Sequence, residues 1–373
     1  MSRARPITIV SVVGARPNFM KIAPLMAAFR ARPEVRPVLV HTGQHYDERM
    51  SRLFFEDLGI PRPDLNLEVG SGSHAAQTAE IIRRFEPVVT ERRPDVVLVV
   101  GDVNSTIACA LVAAKLGVRV AHVEAGLRSF DRTMPEEINR VLTDAISDYL
   151  FVTEASGLAN LTNEGVPDEK VFFVGNVMID TLLANLEKAR ASDVLDRMRL
   201  APHAYAVLTL HRPSNVDDPD VFDRLFGAIR QIAKDLPVVF PVHPRTRGNM
   251  ERSGLLGNGK GDRLDGVRLV EPLGYLEFLK LMAEARLVLT DSGGIQEETA
   301  ILKVPCLTLR ENTERPVTID VGCNQLVGSD PDRILAAFHR VMARETFTCG
   351  TPEKWDGHAA ERIADVLVSA TPG

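Results

Sequence analysis

The fold of this protein is indicated most clearly by residues 95–124, which read DVVLVV GDVNSTIACALVAAKLG VRVAHVE. An apolar run typical of a buried strand (95–100) is followed by a helix-length stretch (104–116) and by a second apolar run (118–123). Continuously apolar strands are typical of a parallel sheet that helices cover on both faces. The segment therefore predicts a strand–helix–strand unit of an α/β protein.

The same alternation of strand-like and helix-like segments continues along the whole chain. Helix-length amphipathic stretches also occur at 136–147 and 219–235. The further strand candidates are, in chain order, 7–13, 38–40, 149–153, 171–175, 205–210, 237–242, 267–270, 286–290 and 305–309. This pattern predicts doubly wound α/β architecture.

The length of 373 residues suggests two or three domains, at about 150 residues per domain. The stretch 176–204 is helical and charged, and a new strand candidate follows it. We therefore predict two α/β domains, residues 1–176 and 177–356. Two lobes of similar size would leave a cleft lined by the carboxyl ends of both sheets, where open α/β sheets bind ligands.

Composition excludes several classes of function. The 44 Lys and Arg residues against 50 Asp and Glu residues give a net charge of −6, which argues against binding nucleic acid through bulk charge. No apolar run approaches the roughly 18–20 residues of a membrane span. Cys109, Cys306, Cys323 and Cys349 show no paired spacing, and Cys109 and Cys306 lie in apolar runs. We therefore expect buried free thiols and a cytoplasmic protein.

The first strand candidate leads into a turn that could bind phosphate. Gly14 stands at the strand end, and Arg16 and Lys21 follow at the start of a helix. Cations and free backbone N–H groups at a helix start suit a phosphate or pyrophosphate. An ordinary turn with solvated charges fits this segment equally well.

Carboxylates follow two neighbouring strand candidates. Asp102 comes just after the run 95–100, and Glu124 comes directly after the run 118–123. Either residue alone could be a turn or capping residue, but two at adjacent strand ends favour a functional edge. One glutamate of the pair Glu136–Glu137 would complement its helix dipole, and the other could face the cleft. Arg140 lies on the same helix face as Glu136.

Histidines end two strand candidates of the second half. His211 follows the run 205–210 and His243 follows the run 237–242. Histidine at such an edge is a candidate for acid/base catalysis, although a lone histidine is usually structural. No metal site is predicted, because His41 and His45 have no accompanying set of Cys or carboxylate ligands.

The most informative segment of the second half is TDSGGIQEE (290–298). Ser292, Gly293 and Gly294 at a helix start leave backbone amides open to an anion. Glu298 could accept two ribose hydroxyls one turn later, and Arg315 could add a guanidinium. This combination is typical of a nucleoside diphosphate site.

Together these segments resemble the non-hydrolysing UDP-N-acetylglucosamine (UDP-GlcNAc) 2-epimerases, a branch of the GT-B nucleotide-sugar enzymes. The matching segments occur in the family's order over nearly the whole chain: GARPNFMK (14–21), HTGQH (41–45), GDVNST (101–106), HVEAGLRS (122–129), MPEEINR (134–140), GN (175–176), HRP (211–213), PVHPRT (241–246), TDSGGIQEE (290–298) and TERP (313–316).

The resemblance implies a fold, an assembly and a reaction. It implies two Rossmann-like lobes, with the C-terminal helix (357–373) crossing back onto the first, a homodimer, and neither cofactor nor metal. It implies inversion of C2 by elimination of UDP to 2-acetamidoglucal and re-addition of UDP, for a surface-polysaccharide precursor. By motif, the acid/base set would be Asp102, Glu124, Glu136 and His211. Substrate would be held by Arg16, Lys21, Arg140, His243, Ser292, Gly293, Gly294, Glu298 and Arg315.

Some positions depart from the family pattern. Many bacterial members bind a second, activating UDP-GlcNAc, but Asp47 and the arginine-free stretch 70–77 argue against such activation here. The segment between Glu124 and Glu136 also resembles sub-branches that act on UDP-2,3-diacetamido uronic acids, so that substrate stays open. A GT-B glycosyltransferase, a hydrolysing epimerase and a non-catalytic nucleotide-sugar sensor are the remaining alternatives.

Overall fold

The computed structural model describes residues 5–43, 58–242, 244–252, 263–264, 266–343 and 348–370. The chain divides into two compact units. The first consists of Met1–Ala184 with Glu353–Gly373, and the second of Asn185–Pro352.

The first unit is built on a parallel sheet of seven strands. In chain order they are β1 (Ile7–Val13), β2 (Val35–His41), β3 (Leu65–Asn66), β4 (Val96–Val100), β5 (Arg119–Ala125), β6 (Tyr149–Val152) and β7 (Val171–Phe173). Their spatial order is β3-β2-β1-β4-β5-β6-β7. The order reverses between β1 and β4, and ligands of doubly wound sheets bind at the carboxyl ends of strands beside such a reversal.

The second unit has a sheet of the same kind. Its strands are β8 (Ala206–Thr209), β9 (Val238–Pro241), β10 (Arg263–Leu264), β11 (Val267–Val270), β12 (Leu287–Thr290), β13 (Cys306–Thr308) and β14 (Asn324–Leu326). Their order is β10-β11-β9-β8-β12-β13-β14. Only the pairing of β10 with β11 is antiparallel among the described strands, and the order reverses between β8 and β12.

Helices connect the strands in both units. In chain order the α-helices of the described residues are α1 (Arg16–Arg30), α2 (His74–Arg92), α3 (Asn104–Lys115), α4 (Pro135–Ile146), α5 (Ala155–Asn163), α6 (Val177–Arg190), α7 (Val194–Met198), α8 (Pro213–Val216), α9 (Pro219–Asp235), α10 (Pro244–Arg252), α11 (Tyr275–Ala283), α12 (Gly293–Leu302), α13 (Pro316–Asp320), α14 (Pro331–Met342) and α15 (Ala359–Ala370). Helix α15 packs on α1 within the first unit, and Arg32 pairs there with Asp365 at 2.5 Å.

Each sheet is the centre of its own hydrophobic core. Every residue of β4 is buried, and alternate residues of β4 and β1 pack against the apolar faces of α2 and α3. The core of the second unit gathers apolar side chains of β8, β9 and β12 with those of α9 and α14. These sheets and the structural comparisons below confirm the predicted fold class. No described helix is long and apolar enough to cross a membrane.

The structure corrects the expectation that no cysteines pair. Cys323 and Cys349 form a disulfide, whereas Cys109 and Cys306 are free and buried, as expected. The pairing arises because the chain after α14 returns beside the turn at Gly322, where the Gly350 amide donates to the Val321 carbonyl at 2.8 Å. The disulfide joins residues 26 positions apart, a separation that the spacing of the cysteines in the sequence does not indicate.

Candidate active site

The carboxyl ends of β4 and β5 carry the first two candidate catalytic residues. The two strands are neighbours, with Val100 opposite Val123. Asp102 follows β4. Glu124 is the penultimate residue of β5, at the point where the register shifts between Val123 and Ala125. Glu124 has a φ of 73°, a strained value for a residue with a side chain, and such strain concentrates at functional sites.

Glu124 is held by a lysine from α1. The Lys21 ammonium donates to Glu124 Oε2, and both residues are buried, with 8% and 4% of their surface exposed. Gly101 lies directly against this pair, because a Cβ at that position would lie 2.9 Å from Lys21 Nζ and 3.6 Å from Glu124 Oε2. The glycine and the ion pair therefore fix one carboxylate beside the turn that bears Asp102.

Asp102 is held by α4. Arg140 Nη2 donates to Asp102 Oδ2 at 2.6 Å, and the Asn139 side-chain amide donates to the Asp102 carbonyl at 2.9 Å. The Asp102 side chain remains one-third exposed while Arg140 is buried. The structure thus pairs Lys21 and Arg140, two residues expected to hold substrate, with the two candidate acid/base carboxylates.

The structure separates the two glutamates at the start of α4. Glu137 is buried and accepts the backbone N–H groups of Ser129 and Phe130 at 2.9 and 3.0 Å, so it anchors the loop before α4. Glu136 is half-buried. Of the two, Glu136 is therefore the one available for acid/base chemistry.

The carboxyl edge of the second sheet presents His211. Strands β8 and β12 are neighbours, with Thr209 opposite Thr290. His211 Nδ1 lies 2.9 Å from Asp291 Oδ1; the imidazole side chain is 54% exposed and the carboxylate is fully buried. Asp291 therefore orients the ring through Nδ1, and Nε2 is the ring nitrogen that Asp291 does not contact.

Asp291 is a functional candidate that the sequence reasoning missed. Its carboxylate also accepts the backbone amides of His211 and Arg212 and the side-chain amide of Asn215. Burial alone would raise the pKa of Asp291, but His211 and the two backbone amides lower it below its usual value. The sequence does place Asp291 directly after the apolar run RLVLT (286–290), which marks a sheet edge. That it contacts His211 follows only from the order of the strands in the sheet.

The start of α12 has the features of an anion site. Ser292 is the N-cap residue and makes no side-chain cap bond, and Gly293 and Gly294 form the first turn. A Cβ atom built on Gly293 would have its nearest described neighbour, Glu314 Oε2, 3.9 Å away. The first N–H groups of a helix have no intrahelical acceptor, so this turn offers unobstructed donors to a phosphate.

Glu298 and Arg315, the other two predicted binding residues of this segment, differ in whether an opposite charge is paired with them. Glu298 is buried, and burial together with the neighbouring Glu297 raises the pKa of Glu298 to about 8, against an opposing effect of the Tyr275 hydroxyl. Its Oε1 atom has no hydrogen-bond partner among the described residues. The Arg315 guanidinium is engaged by Glu297, so it would have to exchange that partner to reach a phosphate.

Several predicted residues lie outside the described part of the chain. These are the side chain of Arg16, whose backbone begins α1, and the residues His45, Asp47 and His243. Within the described part, no group of three or more His, Cys, Asp or Glu side chains is arranged to hold a metal ion.

Two doubly wound α/β units, one with two anchored carboxylates and one with an open helix start at its sheet edge, fit a GT-B-like nucleotide-sugar enzyme. The family model described as UDP-N-acetylglucosamine 2-epimerase matches residues 27–368. The UDP-N-acetylglucosamine 2-epimerase of Methanococcus maripaludis is 44% identical over 89% of this chain and 90% of that protein. The chain therefore belongs to the UDP-N-acetylglucosamine 2-epimerase family, whose members are isomerases.

Two further relatives bear on substrate and fold. A UDP-2,3-diacetamido-2,3-dideoxy-D-glucuronate 2-epimerase of Pseudomonas aeruginosa is 41% identical over 96% of this chain and 99% of that protein. The crystal structure of Methanocaldococcus jannaschii UDP-GlcNAc 2-epimerase in complex with UDP-GlcNAc and UDP aligns with a TM-score of 0.88. That alignment has 42% identity and covers 97% of this chain and 100% of that one.

The raised pKa of Glu298 predicts a specific pH dependence of stability. The folded protein binds this proton more tightly than the unfolded chain, so stability falls as the pH rises from 4.5 to about 8. Glu298→Gln removes this titration. The parent should therefore lose on the order of 3–5 kcal/mol more free energy of unfolding than the variant between pH 5 and pH 9, measured by denaturant unfolding.

The matched control is Glu271→Gln, which changes a glutamate of the same unit that is 81% exposed. It should keep the pH dependence of the parent. Identical pH profiles for Glu298→Gln and the parent would show that Glu298 is ionised in the folded protein at neutral pH.

Proposed function

We propose that this protein interconverts UDP-GlcNAc and UDP-N-acetylmannosamine (UDP-ManNAc) without hydrolysis. The observation that carries the proposal is the pair of anchored carboxylates, Asp102 and Glu124, at adjacent strand ends of one sheet. Support comes from the open helix start and the oriented His211 at the edge of the other sheet.

The first half of the reaction breaks two bonds to the sugar. A carboxylate takes the proton from C2, the C2–H electron pair forms a C1=C2 double bond, and the C1–O electron pair leaves with the β-phosphate of UDP. The products are 2-acetamidoglucal and bound UDP. Donors at the start of α12 would stabilise the negative charge that grows on the diphosphate, which is the kind of stabilisation that lowers such barriers most.

The second half restores both bonds. Only the proton arrives from the opposite face of the sugar, whereas UDP returns to C1 on the face that it left. An acid returns a proton to C2, and a phosphate oxygen of UDP attacks C1 to restore the glycosidic bond. Two proton-transfer groups on opposite sides of the ring are the minimum for this inversion. We assign acid/base roles to Asp102, Glu124, Glu136 and His211.

The remaining site residues would hold the substrate. Ser292, Gly293 and Gly294 would bind the diphosphate, and Glu298 would accept the ribose hydroxyls. In this proposal Lys21 and Arg140 act on the substrate next to the carboxylates that they already contact. The residues that complete the set are Arg16, His243 and Arg315.

A second substrate is favoured by one specific similarity. The Pseudomonas aeruginosa relative named for UDP-2,3-diacetamido-2,3-dideoxy-D-glucuronate is 41% identical to this chain, close to the 44% of the first UDP-GlcNAc relative. Purified protein should therefore be incubated with each UDP-sugar in turn, and the anomeric NMR signals followed. We expect a manno epimer from UDP-GlcNAc. An epimer from the diacetamido uronate alone would transfer the proposal to that substrate.

We also propose that the protein is a cytoplasmic homodimer that supplies a precursor of a surface polysaccharide. Three large apolar side chains in and before α4 are exposed, namely Phe130 (78%), Ile138 (43%) and Leu142 (50%). Ile138 and Leu142 are four residues apart and so share one face of α4, and a contiguous exposed apolar face is typical of protein contacts. Analytical ultracentrifugation should give twice the chain mass of 41.0 kDa, and a species of the chain mass at micromolar concentration would contradict the dimer.

A further inference from the structure

A fully buried histidine, His122, lies on β5 two residues before Glu124 and contacts the residue that precedes Asp102. His122 Nδ1 is 2.6 Å from Asp144 Oδ1, and His122 Nε2 is 2.8 Å from the Gly101 carbonyl oxygen. A carbonyl oxygen can only accept, so Nε2 carries a hydrogen. The Asp144 carboxylate likewise accepts from Nδ1. Both ring nitrogens of His122 therefore have a hydrogen-bond partner.

Asp144 is contacted by His122, Arg128 and the backbone amide of Gly126. Burial alone would raise the pKa of Asp144, but His122, Arg128 and the Gly126 amide together lower it below its usual value. Its Oδ2 atom accepts the Gly126 N–H at 3.0 Å and Arg128 Nη1 at 2.7 Å. Arg128 in turn pairs with Glu164 at 2.7 Å. Asp144 is thus surrounded by donors, and Arg128 lies between two carboxylates, so the buried charges of this cluster have partners.

The backbone groups that this cluster holds belong to the two catalytic turns. Gly101 directly precedes Asp102, and Gly126 follows Glu124 by two residues. Gly101, Glu124 and Gly126 have φ angles of 66°, 73° and 80°, and the register of β5 shifts within this stretch. Backbone in these conformations persists where surrounding contacts determine it. Asp144 and His122 supply such contacts on both turns at once.

We propose that His122 and Asp144 are positioning residues, which hold Asp102 and Glu124 in the relative placement that proton transfer at C2 requires. Neither residue touches the substrate in this scheme. The inference rests on the proposed function, because it assigns its effect to the turnover of the UDP-sugar. A displacement of about 1 Å in a reacting group is enough to slow an enzyme about a hundredfold, so loosening either turn should appear in kcat.

Two variants of His122 separate positioning from stability. The amide nitrogen of glutamine in His122→Gln reaches the place of Nε2 and can donate to Gly101, whereas that of asparagine in His122→Asn reaches the place of Nδ1 and can donate only to Asp144. Both variants replace the buried imidazole ring by a smaller amide side chain and should lower Tm similarly. We expect kcat within about threefold of the parent for His122→Gln and roughly ten- to a hundredfold lower for His122→Asn, with KM and the Kd for UDP unchanged.

Asp144→Asn provides the second test should the histidine variants fail to fold. It keeps the side-chain shape and an acceptor for His122, but it sets an amide group against Gly126 and Arg128. We expect a kcat loss of the same roughly ten- to a hundredfold size. The control is Glu164→Gln, which weakens the same cluster at its half-exposed end without contacting either turn, and which should lower Tm but keep kcat.

Failure of the positioning role and failure of the proposed function would give different results. If the unmodified protein does not epimerise any tested UDP-sugar, the proposed function fails, whatever the variants do. If the unmodified protein is active and both histidine variants lose equal kcat, the bond to Gly101 has no positioning role. Kinetic losses in Asp144→Asn no larger than those in Glu164→Gln would likewise overturn the inference and leave a purely stabilising cluster.

Discussion

Replacing Glu124 by glutamine is expected to lower kcat for UDP-GlcNAc epimerisation by about a thousandfold, the typical contribution of a positioned acid or base. Glutamine keeps the length of the side chain and can still contact Lys21, but it cannot take or return a proton. The steady-state rate is measured by coupled detection of UDP-ManNAc. The Kd for UDP should change far less than kcat, because Ser292 and Glu298, which we propose to contact UDP, are in the second unit.

The control for this variant is Glu137→Gln in the same unit. Glu137 anchors the backbone of Ser129 and Phe130 and lies 3.0 Å from Arg140 Nη1. Its replacement should therefore destabilise the loop before α4 and lower kcat through Arg140, but by less than Glu124→Gln does. A Glu124→Gln protein with the turnover of the parent would remove Glu124 from the acid/base set.

Replacing Asp291 by asparagine is expected to lower kcat roughly a hundred- to a thousandfold. The carboxylate accepts from His211 and from two backbone amides, and an amide group in its place would force the imidazole into another orientation or tautomer. The corresponding change in the serine-protease triad costs about 10⁴-fold. A smaller loss is expected here because the His211 ring is half-exposed and less constrained by its surroundings.

The pH dependence of stability checks the same substitution independently. The lowered pKa of Asp291 means that its stabilising effect is fully present above the pKa of an unfolded aspartate and is lost as the pH falls through its folded pKa. Asp291→Asn should therefore be less stable than the parent at pH 7, and the difference should shrink at pH 3. Asp218→Asn is the matched control, because Asp218 is an exposed N-cap where asparagine serves equally well. Parent-like kcat in Asp291→Asn would contradict the role of Asp291.

The sequence was sufficient to predict the fold class because the central strands carry the signal. Strands such as β4 are buried on both faces and therefore apolar throughout. The edge strands β3 (Leu65–Asn66), β10 (Arg263–Leu264) and β14 (Asn324–Leu326) were not predicted. Each has two or three residues, too few for a periodic pattern to be visible.

The sequence predicted the positions of the site residues at the sheet edges, but it did not predict which side chains they contact. Asp102 and Glu124 follow apolar runs, so their place at the sheet edge could be read directly. The partners Lys21 and Arg140 are 103 and 38 residues away from the carboxylates they bind, and only folding brings them there. Asp291 was missed for the same reason, since its meeting with His211 depends on the adjacency of β8 and β12.

The most direct test of the account is incubation of the unmodified protein with UDP-GlcNAc in D₂O, with the C2 position followed by proton NMR. Elimination and re-addition predict that deuterium enters C2 while the UDP-ManNAc signal grows, with no accumulation of free UDP beyond the enzyme concentration. Stoichiometric release of UDP would identify a hydrolysing or transferring enzyme. Retention of hydrogen at C2 in protein that binds UDP, with the diacetamido uronate equally unchanged, would contradict the epimerase mechanism altogether.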